Sequence, residues 1–315
     1  MKKVGILMSI YNESIYEIDR AVKSMLNQTY KDYYFVIVLD NPSRIEVKNY
    51  LDDLKKKDER IILIYNEKNI GLALSLNKAR DKIDVIYLCR MDADDYSFPN
   101  RIETQIKALE NANVDFVFSQ FYFMNSDENI IGEENDFYES KDINRLLNVI
   151  NIIHHPTVMM KTDIFDKVGG YRNFPCSQDY DLWLRLAEID CKFLMINEKL
   201  LKYTIRENSV GNSKAFKQIA TLNYIKHLRN LRLKKGKDNY SEENLNKYYI
   251  KNKVSNDKKE SIKVRDDLKK AQNCANNKQY FEMILLKSKI FLKYRVYRKH
   301  YMNKIIDKIR FIYFS

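Results

Sequence analysis

No run of apolar residues in this chain approaches the roughly 18–20 that a membrane-crossing helix needs, so the sequence offers no transmembrane span. Paired cysteines are missing too. Cys89, Cys176, Cys191 and Cys274 are scattered, without a C-x-x-C pair or metal-ligand spacing. That pattern points away from a disulfide framework and toward free thiols in a reducing compartment. Only four histidines occur, two of them adjacent at His154 and His155, too few for a multi-histidine zinc centre. The opening Met1-Lys2-Lys3 and the apolar Val4–Ile10 lack the small-residue cleavage site of a signal peptide, and Asn12 and Glu13 cut the run short; a first β-strand is expected. These absences predict a cytoplasmic protein. There is also no internal repeat.

What is present is enough for a sizeable core: 315 residues, 45% of them hydrophobic, long enough for one large domain or two ordinary ones. The formal net charge of +12 is unevenly spread. From Phe216 to Ser315 there are 26 Lys+Arg and 9 Asp+Glu, a net +17, whereas Met1–Ala215 carries 29 against 34, a net −5. A mildly acidic body with a basic tail suggests an anionic partner for the tail.

The first hundred residues alternate short apolar runs with helical periodicity. Strands are expected at Val4–Ile10, Tyr33–Leu39, Arg60–Tyr65 and Asp84–Arg90. A helix should start near Ser14, where Glu17 completes a capping box, and bury Ile15, Ile18, Val22, Met25 and Leu26 on one face. Helical patterns also fit Ile45–Lys57 and Leu72–Lys82. Such alternation implies an α/β fold with a mostly parallel sheet covered on both faces, whose ligands bind outside the carboxyl ends of the strands. Pro99 suits the first turn of a helix over Asn100–Asn111, before a strand at Val114–Met124 and a polar stretch, Asn125–Ser140. A strand at Thr157–Met160, a helix ending at Gly169-Gly170, a helix over Ser177–Ile189 and two short strands reaching Arg206 follow. From Lys214 the pattern becomes helices rich in Lys, Asn and Tyr. The expected domains are therefore 1–213 and a helical, basic 214–315.

The main chemical cluster is Met91-Asp92-Ala93-Asp94-Asp95, directly after an apolar strand. Carboxylates at a strand's carboxyl end are hard oxygen ligands for Mg²⁺ or Mn²⁺, which in turn hold phosphate oxygens. An acidic, solvated turn is the bland alternative.

Seven segments, in order, now resemble the inverting family 2 glycosyltransferases. They are Ser9-Ile10-Tyr11-Asn12-Glu13, Ser24-Met25-Leu26-Asn27-Gln28-Thr29-Tyr30, Asn69-Ile70-Gly71 with Asn77, and Asp92-Ala93-Asp94-Asp95 with Pro99. His155-Pro156-Thr157, Gly169-Gly170-Tyr171 and Gln178-Asp179-Tyr180-Asp181-Leu182-Trp183 complete the series. The resemblance covers about Lys3 to Ser213. It implies a GT-A (Rossmann-like) nucleotide-binding fold and an enzyme of the bacterial cell-envelope or capsule glycan type. The donor would be a UDP-sugar, and the acceptor a hydroxyl of a glycan or a lipid-linked sugar.

Residue roles follow from the resemblance. Ser9, Tyr11, Glu13, Asp40, Asn69, Asp92 and Asp94 would bind the donor nucleotide, with Asp40 at the uracil edge and Tyr11 against base or ribose. Asp92 lies on the ribose side, and Asp92 with Asp94 would hold Mn²⁺ or Mg²⁺. Asp179 matches the general base, although as a first-turn acid it also suits the helix dipole. The chain departs from the pattern at Gln178, at Leu39, and at Tyr203-Thr204-Ile205-Arg206, where Arg206 stands in place of a histidine. Arginine cannot ligate a metal but can bind diphosphate oxygens. His154 and His155 could line the acceptor side or be structural.

The tail interleaves aromatics with lysines and arginines. It suits peripheral contact with the inner face of a membrane, or an ordinary helical subdomain that packs on the sheet or joins copies of the chain in a homo-oligomer; nucleic acid fits less well. A sugar nucleotidyltransferase would share the sheet and metal logic but needs a Gly/Arg/Lys-rich phosphate loop, which Ser9–Ser14 lacks. A non-catalytic partner subunit is disfavoured by the retention of Asp92, Asp94 and Asp179.

Overall fold

The apolar β-branched runs near the N-terminus form parallel strands, and the amphipathic stretches between them cover the sheet. The computed structural model describes residues 2–205, 215–254, 258–276, 279–294 and 297–298. Strand β1 (Val4–Ile10) leads to α1 (Ile15–Leu26), β2 (Tyr33–Leu39), α2 (Ile45–Lys57), β3 (Ile61–Tyr65), α3 (Leu72–Arg80) and β4 (Tyr87–Asp92). The capping box of α1 forms as expected: Ser14 Oγ accepts from the Glu17 amide, and the Glu17 carboxylate accepts from the Ser14 amide. Ile18, Ala21, Val22 and Met25 of α1 are buried and join the sheet residues Ile6, Met8, Phe35, Ile37 and Leu39 in the main core.

The second half of the sheet is mixed. It comprises β5 (Tyr96–Ser97), α4 (Arg101–Asn111), β6 (Phe116–Met124), β7 (Ile130–Glu133), α5 (Ser140–Leu147), β8 (Val158–Lys161), α6 (Thr162–Lys167), α7 (Gln178–Ala187) and β9 (Phe193–Thr204). Among the described residues the strands make one nine-stranded sheet in the order β3-β2-β1-β4-β8-β6-β9-β5, with β7 on β6. Strands β1, β2, β3, β4, β6 and β9 run one way, and β5, β7 and β8 run against them. The sheet is thus mostly parallel.

Three expectations are corrected. The strand predicted over Asp84–Arg90 runs instead from Tyr87 to Asp92. Val85 at its start, with Ile83 just before it, packs over Gly5 of β1 without joining the ladder; a Cβ on Gly5 would lie 2.2 Å from Ile83 Cδ1. The two short strands before Arg206 are one strand, β9, whose pairing with β6 shifts register beside Gln120. The polar stretch Asn125–Ser140 contains the edge strand β7, whose Ile130 and Ile131 are exposed.

The chain divides into two compact units, Met1–Asn173 with Asp181–Ile205, and Phe174–Tyr180 with Arg206–Ser315. The sequence boundary was drawn at 213/214; this division follows Ile205 and groups 174–180 with the tail. The second unit contains helices α8 (Ala215–Lys235), α9 (Glu242–Lys251), α10 (Lys258–Asn276) and α11 (Tyr280–Lys293); Phe216 of α8, Val264 of α10, Ile290 of α11 and Tyr297 form a small core. The Phe174 ring lies 4.5 Å from that of Tyr240, and Cys176 Sγ is 3.4 Å from Thr221 Oγ1. No described helix is long and apolar enough to cross a membrane.

Candidate active site

Strand register brings most of the expected residues of the first unit to one edge. Ser9 pairs with Asp92 of β4 on one side and Val38 of β2 on the other. The Asp40 amide continues the β1–β2 ladder to the Ile10 carbonyl, 2.8 Å away. Ser9 and Asp92 therefore stand side by side, with Asp40 two residues beyond Ser9's partner on β2, all at the carboxyl ends of parallel strands, where open α/β sheets bind their ligands. Tyr11 leaves β1 exposed. Glu13 curls the exit loop, accepting from the Tyr11 amide at 2.7 Å, and its carbonyl accepts from Arg44 at 3.0 Å.

Asp40 is buried, and its oxygens face the chain's own donors. Oδ1 accepts from Asn66 Nδ2 at 2.8 Å and the Ile70 amide at 2.9 Å; Oδ2 accepts from the Gly71 amide at 2.8 Å. A carboxylate offers about four lone-pair positions, so one remains on Oδ2. Gly71 sits at φ +88°, a left-handed conformation that suits glycine, and exposed Asn69 precedes this anchor. The sequence reading named Asp40 but missed that it fastens the Asn69–Gly71 loop.

Within the acidic motif, burial alternates. Met91, Ala93 and Asp95 point inward, while Asp92 and Asp94 are half-buried. Asp95 Oδ1 accepts from the Thr204 amide at 2.8 Å, and its Oδ2 has no hydrogen-bond partner among the described residues. Burial, with the charges of Asp94 and Asp92, holds the Asp95 carboxyl well above the usual carboxylate range. Only Asp92 and Asp94 thus remain as accessible ligands. Among the described residues no group of three or more His, Cys, Asp and Glu side chains could hold a metal. Two carboxylates still fit Mg²⁺ or Mn²⁺, because such ions are usually held by one or two carboxylates together with substrate phosphates and water.

Three residues that sequence reasoning missed hold this turn. Arg90, nearly inaccessible on β4, donates from Nη2 to Asp92 Oδ1. Arg20 of α1 donates from Nη2 to the Asp94 carbonyl and, at 3.2 Å, to Thr204 Oγ1; its Nη1 reaches Glu128 at 3.1 Å. The Thr204 hydroxyl donates to the same Asp94 carbonyl. Glu128, at φ +65°, also accepts from Tyr16 at 2.6 Å. An arginine within an otherwise apolar strand run was the only sequence signal available, and it applied to Arg90 alone.

Other motif residues are structural. Gln28 donates to the Phe98 carbonyl at 2.8 Å and accepts from the Ile102 amide at 3.0 Å, fixing the chain after the acidic turn. Asn77 exchanges two hydrogen bonds with the Tyr171 backbone, at 2.8 and 3.0 Å. A Cβ on Gly170 would lie 2.8 Å from Asn77 Oδ1, which explains the glycine there. His155 Nε2 is 2.7 Å from Tyr171 Oη, and desolvation with Arg90 nearby holds its pKa well below the ordinary value. His154 packs on Phe121, ring centroids 4.3 Å apart. Trp183 is fully buried against Phe116.

Asp179 lies half-buried in the first turn of α7 and belongs with the second unit. The preceding Ser177 has φ +58°, a left-handed conformation that replaces the extended backbone of a capping serine. Asp181 is a structural anion, held by Arg172 at 2.7 and 2.9 Å and by Arg185 at 2.9 Å. Arg206 lies outside the described residues.

A mostly parallel sheet with acidic side chains at its carboxyl edge defines an open α/β domain with its ligand site at that edge. The chain matches Glycosyl transferase family 2 over residues 5–169, and it belongs to that family. It is 36% identical over 231 residues to an uncharacterized glycosyltransferase of Methanocaldococcus jannaschii, covering 72% of this chain and 80% of the relative. It is 30% identical over 213 residues to the O-antigen biosynthesis glycosyltransferase WbnJ of Escherichia coli, covering 67% and 82%. Among solved structures, S. aureus TarS 1–349 in complex with UDP superposes with a TM-score of 0.56 at 12% identity, covering 78% of this chain and 69% of that one. A longer TarS chain gives 0.55, and this chain spans 42% of it. At that identity the likeness is one of fold.

Proposed function

We propose that this glycosyltransferase moves a sugar from a UDP-sugar to a hydroxyl of a glycan or lipid-linked acceptor, with inversion at the anomeric carbon. The observation that carries the reading is the row of Ser9, Asp40 and Asp92 at the carboxyl edge, with Asp94 two residues on. The name of the O-antigen relative and the UDP in the TarS complex support the acceptor class and the nucleotide. Asp40 lies nearest the base, Tyr11 flanks it, and Glu13 and Asn69 line the same edge. Asp92 and Asp94 would hold a divalent cation, which when bound neutralises charge on the leaving diphosphate. Asp179 takes the proton of the acceptor hydroxyl as that oxygen bonds to the anomeric carbon. The bond from that carbon to the diphosphate oxygen breaks with its electron pair, releasing UDP. One displacement inverts the configuration.

The test measures free UDP released from a panel of UDP-sugars, with and without glycan acceptors, beside binding of UDP, CDP and GDP. Acceptor-dependent release by the wild type, its loss in a folded Asp94→Ala, and preference for UDP are expected. Full activity of Asp94→Ala in a chelator would overturn the metal assignment, and equal binding of the three nucleotides would remove Asp40 from the base.

A further inference from the structure

Helix α11 has two unlike faces. Ile290 is buried with Phe216, Val264 and Tyr297. On the opposite side Phe281, Ile284, Leu285 and Leu292 are 80%, 56%, 62% and 71% exposed. At about 100° per residue these four fall within an arc of roughly 100°, a stripe down the helix in which Ser288 is the small polar member. Single exposed apolar side chains need no explanation, but a contiguous stripe does. Lys289 and Lys293 border it on one side, with Glu282 between them, and Lys287 borders it on the other, by the same helical spacing, so the margins carry three basic groups against one acid. From Tyr280 to Ser315 the sequence carries 9 Lys+Arg and 2 Asp+Glu, a net +7.

We propose that α11 is a membrane-docking surface, laying this stripe into the headgroup region of an anionic bilayer while the flanking lysines meet lipid phosphates. The pattern is that of an interfacial helix, an apolar face edged by long basic side chains that snorkel to the polar layer. Charge decides between occupants. A second copy of α11 on the stripe would set lysines against lysines, whereas an anionic surface complements both the apolar centre and the basic margins. The contact is peripheral, since no described helix can span a bilayer. It would hold the enzyme beside acceptors carried on lipid, yet it rests on α11 alone and not on the transfer reaction.

The experiment is co-sedimentation of the full chain with phosphatidylcholine vesicles, with and without phosphatidylglycerol, at low and high salt. Wild type should bind the anionic vesicles, and binding should fall about tenfold or more on neutral vesicles or as salt screens the surface charges. A combined Phe281→Ser, Leu285→Ser, Leu292→Ser variant and a combined Lys287→Gln, Lys289→Gln, Lys293→Gln variant should each lose binding by about tenfold or more. Because Phe281, Leu285 and Leu292 are exposed on the side away from Ile290, and glutamine keeps most of the length of each lysine stem, both variants should keep the wild-type melting temperature, read in parallel. Light scattering reports oligomeric state. The proposal is overturned if wild type ignores anionic vesicles or if the serine variant sediments like wild type. Conversion of a wild-type dimer to monomer in the serine variant, with vesicle binding unchanged, overturns it too and gives the stripe to a second copy.

Discussion

Replacing Asp40 by asparagine tests whether its carboxylate is the fastening of the loop that borders the nucleotide edge. Ile70 and Gly71 amides each use a different oxygen of Asp40, and asparagine has only one acceptor oxygen. Whichever way the new amide turns, one backbone N–H faces an N–H₂ in a site where Asp40 is 2% exposed. A hydrogen bond to a charged acceptor contributes about 1.5–3 kcal/mol, and an orphaned buried donor costs about 1–3 kcal/mol. These overlap, so Asp40→Asn should cost about 2–3 kcal/mol. For a unit of this size that lowers the melting temperature by roughly 4–12 °C. Asp40→Ala orphans both amides and one of the two N–H groups of Asn66 Nδ2, the other still reaching Ser75 Oγ at 3.0 Å, and should cost more, about 3–5 kcal/mol. Urea unfolding monitored by tryptophan fluorescence reads both values, since the one tryptophan is buried in the first unit. An Asp40→Asn protein that melts within about 1 °C of wild type would refute the fastening role, because that result is below the smallest loss the geometry allows.

Asp179→Asn keeps size and removes basicity, so turnover should fall about 10²-fold or more while calorimetry shows UDP affinity retained; lost affinity with normal turnover would move Asp179 to the donor site. Arg20→Gln should raise the Mn²⁺ concentration for half-maximal activity about tenfold, with partial rescue by Arg20→Lys, because the Asp94 carbonyl loses its guanidinium donor; an unchanged Mn²⁺ dependence would leave Arg20 merely structural. His155 is held well below its ordinary value of 6.5, so the unfolded chain binds the extra proton and stability is present above about pH 6.5 and lost as pH falls. Asp95, pushed up, contributes the opposite slope, so the decisive comparison is internal: His155→Gln should lose stability on acidification less steeply than wild type, and equal slopes in urea midpoints would sink the assignment.

Where backbone periodicity decides structure, the sequence was easy to read. Strands β1 and β2 and helix α2 fall at their expected residues because alternation and helical spacing are local properties. Reading failed where tertiary packing overrides the pattern. Ile83 and Val85 look like strand residues, yet they cover Gly5 and leave the ladder to begin at Tyr87, which makes Asp92 the strand's last residue. Strand β5 is two residues long and β7 offers only Ile130-Ile131 before Gly132; both exist because β9 and β6 supply pairing partners. The acidic motif was legible by composition, since carboxylates after an apolar strand are rare without a use. The distinction between Asp94 and Asp95 was not, because which of two adjacent acids turns inward depends on the Thr204 amide 109 positions away.

That last dependence explains why the acidic turn needs so distributed a scaffold. Three carboxyl groups within four residues repel one another when ionised, and burial makes the repulsion stronger. The fold answers each group differently. Asp95 is turned inward, where it favours its proton and anchors on a backbone amide. Asp92 is matched by the Arg90 guanidinium, and the Asp94 carbonyl is gripped by Arg20 and the Thr204 hydroxyl. None of these partners lies on the turn itself; they come from β4, α1 and the end of β9. A turn held from outside keeps Asp92 and Asp94 in place before any cation arrives, so binding need not also order the loop. Glu128 reaches Arg20 from a left-handed position, φ +65°, in the turn between β6 and β7, where its amide donates to the Asn125 carbonyl at 3.1 Å. Such a conformation persists where surrounding contacts enforce it. Glu128→Gly suits the left-handed position but removes the carboxylate that pairs with Arg20, so it should raise the Mn²⁺ concentration for half-maximal activity in the same direction as Arg20→Gln, and a combined Arg20→Gln, Glu128→Gly protein should be no worse than Arg20→Gln alone. Additive losses in the double variant would show that the two residues act on the turn separately.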